Sequence, residues 1–161
     1  DLARRWGVDE SKSFRKQFAR AVQKVESKDR LRALAKLTTL DDGELRFVSR
    51  PPLLERVSEL VTGTDYAELF DHIRASLNQY RRTLLPDRRE LFDRYRLVDL
   101  ARKVVGVGSV GTRAFIVLLQ GRDTGDPLFL QIKEATASVL EDHLPKSRYQ
   151  QPGERVVRGN G

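Results

Sequence analysis

The stretch "RKVVGVGSVGTRAFIVLLQGRDTGDPLFLQIKEA", residues 102–135, decides how this chain is read. It carries Gly106-x-Gly108-x-x-Gly111, a spacing shared by two unrelated phosphate-binding devices and by plain tight turns. A dinucleotide fingerprint needs a strand before the glycines and a helix after them, so that the pyrophosphate rests on the helix N-terminus. Here the glycines are followed by "TRAFIVLLQ" (112–120), which is β-branched and aromatic, a strand pattern. No acidic residue closes a following strand at the expected spacing. The dinucleotide reading fails on this context. A glycine loop between two antiparallel strands is instead the kinase-type flap.

The flap reading has a physical basis. Gly106, Gly108 and Gly111 lack the Cβ atoms that would hold phosphate oxygens off the backbone. They also permit positive φ, so several N–H groups can converge on one anion, and Ser109 adds a hydroxyl donor at the tip. "GRDTGDP" (121–127) is a turn cluster, and "LFLQIK" (128–133) alternates. Leu128, Leu130 and Ile132 take one face, with Phe129, Gln131 and Lys133 on the other. Lys133 stands twenty-two residues after Gly111, beyond one strand and one turn. An ammonium there would bind the α/β-phosphates as a point charge. Arg113 would reach a phosphate past the flap, and an exposed strand-end charge explains it equally well. The bland alternative is a glycine-kinked hairpin whose Lys133 merely snorkels at a strand end.

Upstream, apolar residues recur at helical steps. Phe14, Phe18, Val22, Val25, Leu31 and Leu34 predict a helix over 9–36. "LTTLDDGELRFVS" (37–49) predicts a hairpin turned at Asp41-Asp42-Gly43 and ended by Pro51-Pro52. A second helix is expected over 66–84, capped by Asp65, with Leu69, Phe70, Ile73, Leu77 and Tyr80 as its buried stripe. Pro86-Asp87 stops it and starts another, with Asp87 as cap and Leu91, Phe92, Tyr95 and Val98 on its apolar face. The strand period begins at about 101. Three segments result: a basic helical one (1–36), a hairpin plus helices (37–100) and the glycine-loop, three-strand segment (101–161), expected to form one compact unit.

Composition narrows the function classes. Cysteine is absent and there are two histidines, His72 and His143, which excludes disulfides and thiolate sites and argues against a dedicated transition-metal site. No long apolar run or secretory leader is visible, so a cytoplasmic protein without membrane contact is expected. Methionine is absent, including at position 1, and the chain reads as a piece of a longer protein. The net charge of +7 is uneven: 1–36 and 74–103 are basic, 37–73 acidic. Such asymmetry can attract polyanions, although charged tracts are more often solvated helix faces. Asp99 and Arg102 fit a local ion pair or cap better than a site, and Trp6 an anchor better than a base-stacking platform. His72 fits a satisfied helix residue, and His143 precedes Pro145 in a loop.

"YRLVDLARKVVGVGSVGTRAFIVLLQGRDTGDPLFLQIKEA" resembles the characteristic stretch of a bacterial family of uncharacterised proteins, domain of unknown function twenty-two fifty-two. "KLTTLDDGELRFVSRPPL", "YRRTLLPDRRELFDRYR" and "GERVVRG" resemble it as well, so the likeness covers most of 30–159 and is less clear over the first thirty residues. The resemblance implies a permuted kinase-like fold, similar to small-molecule phosphotransferases such as the aminoglycoside kinases. The family's catalytic-loop-like motif (Gly-Asp-x-His-x-x-Asn) and its metal-binding-like Asp-Phe-Asp lie upstream of this region, and neither occurs here; "TGDPLF" has a Gly-Asp pair without the His or Asn. By resemblance the flap is Gly106, Gly108, Ser109 and Gly111, and the phosphate lysine is Lys133. Its helical partner is Glu141, with Glu154 second and Glu134 pointing to the opposite face if the strand continues. Arg113 departs from the kinase pattern, which has Val two residues after the last glycine.

The expected fold is therefore α+β, an antiparallel sheet with a kinase N-lobe-like glycine loop packed by several helices, part of a larger permuted fold. The expected function is binding of ATP with Mg, with no catalytic residue in this segment and a missing catalytic half and an unnamed small-molecule acceptor as partners. A basic nucleic-acid-binding module is the second reading, and a regulatory or assembly domain that kept the fold without the chemistry is the third.

Overall fold

The computed structural model describes residues 8–61, 63–105, 112–132, 140 and 144. The first helix, α1 (Val8–Ala21), ends well short of the expected 9–36. At Val22 the chain becomes a three-residue strand, β1 (Val22–Lys24), and only then resumes as α2 (Lys28–Ala35). The cause is a distant partner: Val22 pairs with Ile132 and Lys24 with Leu130 on β7 (Pro127–Ile132). A β-branched valine suits that sheet position, and long-range pairing overrides the local helical period.

β2 (Thr38–Asp41) and β3 (Glu44–Phe47) form the expected hairpin. Asp42 and Gly43 both take left-handed φ values, 54° and 76°, the geometry a two-residue turn requires to match strand twist. β4 (Leu54–Arg56) follows Pro51-Pro52, and a single helical turn, α3 (Val57–Leu60), follows it. α4 (Gly63–Arg82) starts earlier than expected, so Asp65 lies in its first turn, not at the cap. A carboxylate there still opposes the positive end of the helix dipole. α5 (Pro86–Phe92) has Leu85 as cap and Pro86 at the first position, where its missing N–H costs nothing. Asp87 is thus not the cap, and Leu91 is 56% exposed and not on a buried face. Tyr95 and Val98 lie beyond the helix, because β5 (Arg96–Val105) already begins at Arg96, five residues before the expected change of period.

β5 pairs antiparallel with β6 (Thr112–Gln120), from Arg96 opposite Gln120 to Val105 opposite Thr112. The five-stranded order is β1-β7-β6-β5-β4, with every pairing antiparallel. Strands from all three sequence segments thus share one sheet. The fold is α+β with an antiparallel sheet and several helices. One sheet face packs Leu100, Val117, Leu119, Leu128 and Leu130 against Phe14 and Phe18 of α1 and Leu69, Ile73 and Leu77 of α4. The other packs Ala101, Ile116, Leu118 and Phe129 against Leu34 of α2 and Leu45 and Phe47 of β3. Each such buried Val, Leu, Ile or Phe contributes about 1.5–3 kcal/mol. No helix among the described residues is long and apolar enough to cross a membrane.

The β2–β3 hairpin is tied down by polar side chains of the sheet. The free-edge N–H of Leu45 donates to Gln120 Oε1 at 3.1 Å, and that of Phe47 to Asp99 Oδ2 at 2.8 Å. Asp99 is fully buried and also accepts from Arg56 Nε at 3.1 Å and Leu100 N–H at 2.9 Å. Burial pushes its carboxyl above the ordinary carboxylate range, opposed by the Phe47 N–H, the Arg56 charge and the Leu100 N–H. Asp99→Asn keeps one acceptor oxygen for three donors, so its own amide N–H must face another donor. The expected outcome is a loss of about 2–4 kcal/mol in urea unfolding. An unchanged midpoint would remove Asp99 as the hairpin's anchor.

Candidate functional site

The pairing of Val105 with Thr112 makes residues 106–111 a six-residue link between adjacent antiparallel strands. β7 then runs back along β6 and ends with Ile132 opposite Phe115, three residues from Thr112. The described chain ends at 105, 112 and 132 thus lie at one end of the sheet. Strand, loop, strand, turn, strand is the order the sequence predicts. Gly106, Gly108, Ser109, Gly111, Lys133 and Glu141 themselves lie outside the described residues, as do Glu134, Glu154, Trp6 and His143. Arg113 stands in β6 opposite Val104, and its side chain is outside the described set. The expected split of β7 is present where it is described. Leu128, Leu130 and Ile132 join the core under α1 and α4, and Phe129 packs on the opposite side, beneath α2 and the hairpin.

Asp99, Arg102 and Lys103, close together on β5, have distinct surroundings. Asp99 faces the hairpin. Arg102 faces the helices, 2% exposed, and pairs with Glu55 Oε2 at 2.7 Å directly across from β4. Asp99 and Arg102 are therefore neither a local pair nor joint parts of a site; each has a partner more than forty residues away. Lys103 lies opposite both Leu54 and Ala114, on the α2 side. Burial pushes its ammonium below the ordinary lysine range, and the Arg30 guanidinium adds to that. Arg30, from the first turn of α2, donates to Gln131 Oε1. Sequence reasoning missed Arg30 and Lys103 because each looks like one charge in a basic tract. The available signal was a lysine two residues after Ala101, on the strand face that the small Ala101 marks as buried.

A cavity of about 930 Å³ opens at the other end of the sheet, between Tyr80, Leu84, Phe92, Tyr95, Arg122 and Asp126. The nine residues of β6 span about 27 Å from Thr112 to the turn that borders this cavity, and the lining runs back along the sheet through Leu128 to Leu130, opposite Val117. Among the described residues no group of three or more His, Asp or Glu is placed to hold a metal ion.

The family model described as "Uncharacterized protein conserved in bacteria (DUF2252)" matches residues 3–160. The chain belongs to this family. The match includes nearly all of the first thirty residues, where the resemblance is less clear by eye. No curated protein and no solved structure matches the chain.

The Glu55–Arg102 pair is too deeply buried to meet a ligand, so its role is to fix β4 on β5. Replacing Glu55 by Gln removes the carboxylate that lies 2.7 Å from a buried guanidinium and is expected to cost about 3–5 kcal/mol. The joint change Glu55→Leu with Arg102→Met should recover most of that in thermal unfolding. Single and double variants of equal stability would contradict this role.

Proposed function

We propose that this chain is the phosphate-binding lobe of a kinase-like small-molecule phosphotransferase that takes ATP with Mg. The observation that carries the reading is the meeting of the ends at 105, 112 and 132 at one end of the sheet. Glycine-rich backbone enters and leaves between two of them, and Lys133 follows the third in sequence. Backbone N–H groups of the link would hold β- and γ-phosphate oxygens, with Lys133 on the α/β-phosphates. Glu141 would orient that lysine, and Arg113 would add charge beside the flap. Metal and base would come from a catalytic half outside this chain, in a permuted order, and the acceptor would be a small molecule. A cytoplasmic setting fits this chemistry.

The nucleic-acid reading is weaker because many arginines of the basic tract serve the fold. Arg81 pairs with Asp93 at 3.1 Å, Arg96 with Glu44 at 2.7 Å, and Arg89 donates to the Arg82 and Leu84 carbonyls. These contacts draw them away from a shared phosphate-facing surface.

Calorimetric titration with Mg-ATP tests the proposal. Wild type should bind, and Lys133→Ala should weaken binding about tenfold or more while circular dichroism stays unchanged. A folded wild-type chain with neither heat nor chemical-shift response at millimolar nucleotide would refute it.

A further inference from the structure

Lys103 is half-buried, and among the described residues it has no hydrogen bond or ion pair. The register places it on the same sheet face as Ala101, Ile116 and Gln131. Ala101 pairs with Ile116, Ile116 with Gln131, and Lys103 is two residues beyond Ala101. Arg30 reaches down from α2 to Gln131 on that face. Lys103 and Gln131 stand two strand spacings apart and two residues offset along the strands, about 12 Å in all, a gap that two long cationic side chains can close on from either side. Arg30 likewise has no carboxylate partner among the described residues. A half-buried ammonium whose charged neighbour is the exposed Arg30 guanidinium, with no counter-charge among the described residues, lowers the stability of the empty protein. Such an arrangement suits a site completed by an anion. Lys103 also stands three residues before Gly106, on the strand that leads into the glycine stretch.

We propose that Arg30 and Lys103 are a phosphate-binding pair on the α2 face of the sheet, taking the polyphosphate chain of a nucleotide. This deepens the reading under Proposed function, on which its choice of ligand rests. The pair grips the phosphates from the side of α2, as two point charges bracketing a single anionic chain, and Gln131 holds the Arg30 guanidinium in place. Adenosine, which has no phosphate, gains nothing from it.

Thermal unfolding and calorimetry on the full chain, with Mg-ATP, inorganic tripolyphosphate and adenosine as probes, test the pair. Lys103→Met keeps the apolar stem and removes the charge. It is expected to raise the melting temperature of the empty protein, because the repulsion with Arg30 is gone. It should also weaken Mg-ATP and tripolyphosphate binding about tenfold, leaving any adenosine response unchanged. Arg30→Gln, at an exposed helix position, should weaken the same two probes, and Lys103→Arg should restore them. A Lys103→Met protein that binds both polyphosphates like wild type, or that melts lower when empty, overturns the pair. Failure here is separable from failure of the flap. Loss of ATP binding in Lys133→Ala with none in Lys103→Met would leave the flap and remove the pair. Tripolyphosphate binding that needs Lys103, in a wild type indifferent to ATP, would keep the pair and remove the nucleotide.

Discussion

The register of β5 on β6 is the constraint from which the rest of the structure follows. Because Val105 meets Thr112, the intervening six residues join neighbouring antiparallel strands and do not lead into a helix. The same register, extended through β6 to β7, returns the chain to the same end of the sheet at Ile132. The cavity beside Tyr95 and Asp126 opens at the opposite end of the sheet and reaches back along β7 as far as Leu130.

β5 also sorts chemistry between the two sheet faces. Its pairing is irregular between Leu97 and Asp99, and beyond that point side chains alternate. Asp99 turns to the hairpin and closes the β3 edge, which would otherwise expose unpaired N–H groups to aggregation. Arg102 turns to the helices and binds Glu55 in the core. Lys103 turns to α2 and finds Arg30 nearby but no acid among the described residues. Two of these three charges hold the fold together. The third is left to solvent or to a ligand.

Much of the sheet was legible in the sequence because it rests on local pattern. "TRAFIVLLQ" carries β-branched and aromatic residues and "LFLQIK" alternates, and Asp42-Gly43 supplies the positive φ of a hairpin turn. β1 and β4 were not legible, since three residues carry no period and their strand state exists only through Ile132 and Lys103 opposite them. The break at Val22 was hidden for the same reason: its helical spacing is real, yet a partner a hundred residues away decides its conformation. The candidate site divides in the same manner. Glycine spacing and the terminal Lys133 are sequence features, whereas Arg30 and Lys103 come to one sheet face only through the Arg30–Gln131 hydrogen bond and the pairings among β5, β6 and β7.

The most direct measurement is residue-resolved NMR of the labelled chain titrated with ATP and Mn in place of Mg, because the paramagnetic ion broadens amides close to the bound triphosphate. The account predicts that amides at Lys103–Val105, Thr112–Ala114 and Gln131–Ile132 broaden first. Amides of the 121–126 turn, at the far end of the sheet, should stay sharp. Broadening centred on that turn, or spread evenly over the basic helices, would contradict it.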